Sequence, residues 1–290
     1  MKWLRRVAGI AASCIGIGMI IVIVAYAVGG PRVLKASADN HYSMEEEITE
    51  EVNSLDISVA AGKVKVVEGD GFYVSVSQME EDGFISEVRN GTLYVYNTDA
   101  DKYLADFFGF KVPIMYGVAG IGYNEDVMPE VIVTVPVGVE LENFKLDVAA
   151  GGVNIRDVQV KYADFSISNG SLRGDGIIVS EQANVELGAG EVRITDFIGE
   201  ETNLSSGMGS MYIEGVINGN TYADAGIGQI YLNLDGEETD YNFNADCGIG
   251  AVTINNRSYG GLGRSYYKRN GDGPYFELEC GIGQVKVSIR

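Results

Sequence analysis

A glycine recurs at nearly constant spacing along this chain, each time inside the same local pattern. The pattern is an alternating apolar pair, the glycine, and then two apolar residues one position apart, as in LDVAAGGVNI and DAGIGQIYL. From Gly151 onwards the steps between the aligned glycines are 19, 20, 19, 19, 22 and 33 residues. The aligned glycines are Gly62, Gly151, Gly170, Gly190, Gly209, Gly228, Gly250 and Gly283. An internal repeat of this kind limits the chain to a stacked repeat architecture.

Apolar residues alternate within each repeat, as at Phe144, Leu146 and Val148. This is the period of a β-strand, so helical arrays are excluded. A calcium-binding nonapeptide repeat is excluded too, because it requires Asp where this chain has Val153 and Val192. About 20 residues make three short strands joined by turns, which is one coil of a parallel β-solenoid. The sequence therefore predicts an all-β fold, a single-stranded parallel β-solenoid of about 19–20 residues per coil.

Stacking would arrange equivalent residues in columns about 4.8 Å apart. The column three residues before the glycine is mostly apolar and is predicted to face the core: Val148, Ile167, Leu187, Ser206, Ala225, Cys247 and Cys280. The column four residues before it is polar and is predicted to face water: Asp147, Ser166, Glu186, Ser205, Asp224, Asp246 and Glu279. A second glycine column is predicted at a corner, where neighbouring backbones approach closely: Gly188, Gly207, Gly226, Gly248 and Gly281.

The N-terminal residues predict a membrane anchor. Residues 7–30 carry no charge over a length greater than that needed to cross the hydrocarbon of a bilayer. Lys2, Arg5 and Arg6 favour a cytoplasmic tail at residues 1–6, with 7–30 as a signal anchor in contact with the lipid bilayer. We therefore expect a single-pass protein of the cell membrane whose bulk is extracytoplasmic.

Cleavage of this segment is the alternative, because residues 25–27 and 36–38 have the small-x-small pattern of a signal-peptidase site.

Residues 31–51 follow as a solvated acidic spacer. Beyond residue 35 the chain holds 16 basic and 41 acidic residues, a formal charge of −25. A domain this acidic repels nucleic acid, which is excluded as a partner.

Two further regions complete the predicted organisation. Residues 52–143 alternate strand and turn patterns and are predicted to form a β-rich cap with an apolar insertion at 98–130. Residues 144–290 are predicted to form the solenoid, with an insertion at 255–275.

Both insertions are candidate binding loops for a protein partner or a cell-wall polymer. The segment 98–128 is aromatic and apolar, and it folds back as local core in the alternative interpretation. The segment 257–275 interleaves tyrosines with basic residues, which suits a glycan or an anionic polymer: Arg257, Tyr259, Arg264, Tyr266, Tyr267, Lys268, Arg269 and Tyr275. Its alternative is a lid over the last coil.

The sequence offers little catalytic chemistry, and we predict no catalytic, cofactor-binding or metal-binding residues. The only histidine is His41, in the spacer, so no histidine-based triad can form in the folded part. Cys247 and Cys280 are predicted to be neighbours in one inward column, with a disulfide as the alternative. Calcium bound to the stacked carboxylates Asp224, Asp246 and Glu279 is the alternative to a solvated acidic face.

Particular motifs resemble a known family. They are the VTVP turn at residues 133–136, the following LENFKLDV strand at 141–148, and the recurring Gly-x-Val-x-Ile units. The chain resembles, over about residues 52–290, the bacterial domain-of-unknown-function family labelled putative adhesin, also called toastrack. The resemblance implies a membrane-anchored extracytoplasmic β-solenoid whose relatives accompany envelope-stress and cell-surface signalling systems. It implies no catalytic or ligand residues.

Two classes of function remain. The first is a non-enzymatic surface module for adhesion or envelope sensing on a single anchor. The alternative is a solenoid glycan lyase or hydrolase, which would need two carboxylates within about 10 Å of each other in a cleft beside the tyrosine-rich loop. The coils predicted here are short, which favours the surface module.

Overall fold

The computed structural model describes residues 42–79, 83–97, 104–107, 110–113, 129–260 and 264–290, and these residues form an all-β fold. One short 3-10 helix spans Glu238–Asp240. The strands are β1 (Tyr42–Glu47), β2 (Ser54–Gly69), β3 (Tyr73–Met79), β4 (Phe84–Arg89), β5 (Thr92–Asn97), β6 (Leu104–Phe107), β7 (Phe110–Pro113), β8 (Glu130–Pro136), β9 (Glu140–Ile217), β10 (Thr221–Leu234), β11 (Asn242–Ile254), β12 (Arg257–Gly260), β13 (Arg264–Lys268) and β14 (Tyr275–Ile289).

The marker glycines form a continuous column along the sheet, as the repeat predicts. Strand β9 winds through four of them without a break, and its neighbours β2 and β10 pair with it in parallel, glycine opposite glycine. At Gly170, φ is +151° and an added Cβ would lie 1.9 Å from the carbonyl oxygen of Gly151. Backbones this close leave no room for a side chain, so the corner requires glycine.

The interior of the coils is apolar, and the predicted inward column is confirmed at its six described side chains. Val148, Ile167 and Ala225 are fully buried, and Ser206 and Cys280 are nearly so. Aromatic residues fill both ends of the core, with Phe144 edge-on to Phe165 and a second cluster around Phe276. Each fully buried aliphatic or aromatic side chain contributes about 1.5–3 kcal/mol, so this interior is the main source of stability.

A second corner lies six residues after five of the eight marker glycines, and it was not predicted from the sequence. Asp157, Gly176 and Asp196 occupy this position with φ near +50° to +67°. Gly215 and Asn256 occupy it too, also with positive φ. Glycine, Asp and Asn tolerate the left-handed region best, which explains why each of these five positions is one of the three residue types.

The last coils are stacked out of chain order. Strand β14 lies between β10 and β11 and pairs with both in parallel, so that Gly283 is opposite both Gly228 and Gly250. The C-terminal residue is held beside β10, because the Arg290 side chain contacts Asp235 at 3.0 Å and Glu214 at 2.5 Å. The 33-residue step therefore reflects a chain that passes outward to form β11 and then returns to fill the gap.

Antiparallel strands cover both ends of the stack, so the sheet is mixed and not purely parallel. At one end β5 and β8 both pair with β2. Strand β4 then pairs antiparallel with β5, β3 pairs antiparallel with β8, and β1 pairs antiparallel with β3. At the other end β12 and β13 pair antiparallel with β11. Paired and short outer strands remove the long open edge that invites aggregation.

The predicted membrane anchor, residues 7–30, lies outside the described residues, as does the spacer up to residue 41. Within the part of the chain that the structure describes, no helix has the length and apolar character needed to cross a membrane.

Candidate interaction surface

An exposed apolar ridge runs along the glycine corner of the four C-terminal coils. Its members lie between the two glycine columns, in register across neighbouring strands, and each is more than half exposed. In spatial order they are Met208 (60%), Ile227 (54%), Ile282 (51%) and Ile249 (59%). At about 4.8 Å per step the ridge is about 14 Å long. Single exposed apolar residues are ordinary, whereas a contiguous row is typical of an interaction site.

The fold does not require large apolar residues at this position. None of the equivalent residues in the four coils nearer the N-terminal end of the stack is large and apolar, and the first two are buried: Ala61, Ala150, Asn169 and Ala189. Those coils have the same marker glycine and the same buried interior, although only the coil of Gly190 also has a glycine in the second column, at Gly188. The ridge is therefore an addition to the coil, not a condition for forming it.

A row of glycines borders the ridge on one side, and the side chains on its two sides differ in chemistry; we call this strip the groove. The floor consists of the glycines two residues before the marker: Gly207, Gly226, Gly281 and Gly248. The far side is an acidic wall, formed by Asp224, Glu279 and Asp246 in adjacent strands. In the earlier coils the same strip, at Gly188 and Gly207, lines a hollow of about 290 Å³ beside Glu186 and Ser205. It thus has an apolar wall, a floor without side chains and an acidic wall.

The acidic wall carries unneutralised charge. Within the described ranges, none of its three carboxylates has a Lys or Arg within ion-pair distance. Glu279 accepts one hydrogen bond, from the Tyr222 hydroxyl at 3.2 Å. Burial, followed by the charge of Glu279, raises the pKa of Tyr222, so this hydroxyl remains a proton donor at neutral pH. The wall is therefore an anionic surface open to a cationic partner.

The face on the other side of the ridge is aromatic and partly basic. The Arg193 guanidinium lies 4.4 Å from the centroid of the Tyr212 ring, a cation–π contact. The Tyr212 hydroxyl donates to Glu214 at 2.7 Å, and this bond, together with Arg290, lowers the pKa of that carboxyl. Tyr231 follows in the next coil, and a surface hollow of about 380 Å³ lies between these side chains. The combination of tyrosines with charged donors, predicted for the loop 257–275, is present here.

The loop 257–275 is largely a lid over the terminal coil. Its strands β12 and β13 pair along β11, and Lys268 donates to Glu238 at 2.5 Å. Asn255 donates to the same carboxylate at 2.9 Å, and the two bonds lower the pKa of Glu238. Tyr267 remains 63% exposed, and Arg257 and Arg269 are exposed as well.

A buried asparagine fixes the turn that leads from this lid to β14. Asn242, 4% exposed, donates to the carbonyls of Gly271 and Gly273 and accepts from the amides of Asn270 and Gly271. These bonds determine where β14 enters the stack. No pattern in the sequence distinguished this asparagine from the others.

The insertion 98–128 lies outside the described residues apart from the backbone of the small hairpin β6–β7. The structure does show where it is attached. The Asn97 side chain accepts from the Ala60 amide, and the Pro129 carbonyl accepts from the Lys63 amide. The insertion therefore leaves and re-enters the stack beside Gly62. This is the same corner at which the ridge lies in the C-terminal coils.

The cysteine and carboxylate columns are in the predicted places, but in a different order. Cys247 and Cys280 are opposite one another in register, and Cys280 is buried. The side chain of Cys247 lies outside the description, and the disulfide alternative stays a prediction.

Glu279, not Asp246, is the middle carboxylate of its column, because β14 is inserted between β10 and β11. No group of three or more His, Cys, Asp or Glu side chains in the described ranges is arranged as a metal site.

The acidic wall meets the carboxylate spacing named above for a glycan-active enzyme, because Asp224, Glu279 and Asp246 lie in adjacent strands about 4.8 Å apart. Two other carboxyl groups, those of Glu214 and Glu238, lack the environment of a glycosidase acid. Hydrogen bonds lower the pKa of both Glu214 and Glu238, which favours the ionised form. A general acid in glycoside hydrolysis needs the opposite shift.

A family model matches residues 46–269, about three quarters of the chain, and its description is Toastrack DUF4097. The chain belongs to the Toastrack DUF4097 family. The family resemblance that the VTVP turn and the glycine units indicated is thus confirmed.

Solved structures similar to this Toastrack chain share little sequence with it. One described as a putative adhesin from Bacteroides fragilis is 10% identical, covers 87% of this chain and 98% of its own, and has a TM-score of 0.43. A putative cell adhesion protein from Clostridium sporogenes is 13% identical and covers 87% of this chain and 100% of its own, with a TM-score of 0.35.

A third, described as a putative lipid binding protein from Parabacteroides distasonis, is 12% identical, covers 86% and 97%, and has a TM-score of 0.30. Among curated proteins, none matches this chain. Likenesses with such scores say nothing about what this chain binds.

Proposed function

We propose that this protein is a membrane-anchored, extracytoplasmic, non-enzymatic interaction module that uses the glycine corner of its solenoid as the contact edge. The observation that carries the proposal is the solvent-facing ridge formed by Met208, Ile227, Ile282 and Ile249, a row that the earlier coils lack. Stacked strands hold the four side chains at fixed spacing, so they are preorganised for binding.

The anchor and the charge fit this role. Residues 7–30 would hold the chain in the bilayer with its N-terminal tail inside the cell. The rest of the chain is strongly acidic, so it would stay soluble and would be repelled by anionic lipid headgroups. The insertion 98–128 would add apolar contacts at the same corner, and Tyr267, Arg257 and Arg269 would be available to a polymer at the far end.

The placement in the membrane is tested by fusions after Arg290. We expect alkaline phosphatase fused there to be active and a fluorescent protein that matures only in the cytoplasm to be dark. The opposite pair of results would contradict an extracytoplasmic solenoid. Replacing residues 7–30 with a cleavable signal sequence should release the fusion from the membrane fraction.

The contact edge is tested by photo-cross-linking in intact cells. A benzophenone amino acid replaces Ile227 in one strain and Ile198, an exposed isoleucine beyond the second corner, in another. We expect a discrete adduct from position 227 that position 198 does not give. Identical adduct patterns at the two positions, or none at either, would refute the ridge as the contact edge.

A further inference from the structure

Resting on the proposed function, we infer that the corner groove binds a cationic amphipathic peptide segment of a partner protein. The apolar stripe of the segment packs against the ridge, and its Lys or Arg side chains pair with the acidic wall. The groove requires both halves of this ligand, because its two walls, about three residues apart on one strand, are apolar at Ile227 and anionic at Asp224.

The size of the ridge favours a single peptide segment. Four half-exposed side chains present a patch of a few hundred Å², whereas a stable dimer buries about 800 Å² on each partner. A length of about 14 Å matches about ten residues of helix or four to five residues of extended chain. A floor of glycines lets the backbone of such a segment approach closely, as small residues do at helix contacts.

Charge selects a cationic segment over the other occupants of an apolar surface. A second copy of this chain, with a formal charge of −20, would bring its own acidic wall towards this one. An anionic bilayer surface would be repelled in the same way. A segment with Lys or Arg beside its apolar stripe gains from Asp224, Glu279 and Asp246, which have no cation of their own among the described residues.

The test uses the full chain in phosphatidylcholine nanodiscs and a fluorescein-labelled helical peptide of leucine and lysine, about 14 residues long. Fluorescence anisotropy, corrected with empty nanodiscs, gives the Kd. We expect Ile227→Ser/Ile282→Ser to weaken binding at least about tenfold and Asp224→Asn/Glu279→Gln/Asp246→Asn to weaken it about fivefold. Raising the salt concentration from about 50 to about 500 mM should weaken peptide binding more in the wild type than in the variant that lacks the three carboxylates.

Matched controls separate the groove from the rest of the acidic surface. Ile198→Ser removes an exposed isoleucine elsewhere, and Asp147→Asn/Asp164→Asn removes two exposed carboxylates in coils that lie away from the ridge and from the hollow. Both should bind like the wild type, and Ile227→Val/Ile282→Val should retain most of the affinity. A peptide with Glu in place of Lys should not bind.

Several results would overturn the inference. Unchanged affinity in Ile227→Ser/Ile282→Ser would show that the peptide does not bind at the ridge. Equal binding of the glutamate peptide would show that the charge of the acidic wall does not select the ligand. A concentration-dependent dimer, or binding to anionic vesicles, that Ile227→Ser/Ile282→Ser abolishes would assign the ridge to a second copy or to a membrane. If the adduct at position 227 persists while the peptide fails, the proposed function stands and only the class of partner is wrong.

Discussion

The two halves of the solenoid share one interior but differ at the glycine corner and in the order of their coils. In the N-terminal half the corner residue is small, as at Ala150 and Ala189, and the single strand β9 lays down successive coils in chain order. In the C-terminal half the corner residue is large and exposed, and β14 is inserted between β10 and β11. The difference separates what the coil requires from what has been added to it.

Glycine at the marker position is what both halves require, and its loss should have the largest effect. We expect Gly170→Ala to lower the free energy of unfolding by at least about 3 kcal/mol, because φ is +151° and the new Cβ would meet the carbonyl of Gly151. Gly152→Ala is the matched control, since only Ser171 lies within 4 Å, at 3.8 Å. Denaturant unfolding of both variants checks this, and equal losses would show that the close approach is not the cause.

Asn242 should matter most to the half that is assembled out of order. Asn242→Ala removes four partly buried hydrogen bonds to the backbone of residues 270–273, and we expect a loss of about 2–3 kcal/mol. Hydrogen exchange should show the loss of protection in β11 and β14 and little change in β9. Asn220→Ala, which removes one exposed bond to the Tyr275 amide, should cost less than about 1 kcal/mol. Loss of protection spread evenly over the solenoid would contradict a local role.

The ridge should be extendable into the N-terminal half. Ala189 precedes Met208 in the corner column, so Ala189→Ile adds one large residue to the row. We expect the leucine–lysine peptide to bind about fivefold more tightly, with stability unchanged within about 0.5 kcal/mol. Ala189→Ser is the control and should bind like the wild type. Tighter binding by both variants would mean that the apolar side chain is not responsible.

Acid should loosen the terminal coil by a smaller amount. Hydrogen bonds from Lys268 and Asn255 lower the folded-state pKa of Glu238, so its contribution is complete above the ordinary carboxyl pKa and is lost as the pH falls through the lowered value. We expect Glu238→Gln to be less stable than the wild type at neutral pH and less sensitive to acid across that range. Unfolding midpoints measured against pH check this, and parallel curves for the two proteins would contradict it.

The sequence was sufficient for those features that depend on a repeated steric requirement. The glycine column, the buried column at Val148 and Ile167 and the polar column beside it were all predicted, because every coil repeats the same contacts. The second corner was missed because Asp157, Gly176 and Asp196 satisfy one backbone requirement with different residues. A search for Gly, Asn or Asp at one fixed offset would have found it.

The order of the last coils could not be predicted, because β11 and β14 carry the same motif in the same register. Either strand can pair with β10, and the choice depends on the contacts of Arg290 and Asn242, which no short pattern reveals. The ridge was visible in the sequence as the residue between the glycines in GMG and GIG. Its exposure could not be predicted, because a residue at a corner between two glycines falls outside the strand alternation that separates inward from outward side chains.

The free energy of unfolding of Ile227→Ser/Ile282→Ser tests the central claim most directly. If the ridge has been added for contact and the coils stand without it, the double variant will unfold within about 0.5 kcal/mol of the wild type. A loss of about 2 kcal/mol or more would show that these side chains hold the coils together. The interaction surface would then have to be sought elsewhere on the solenoid.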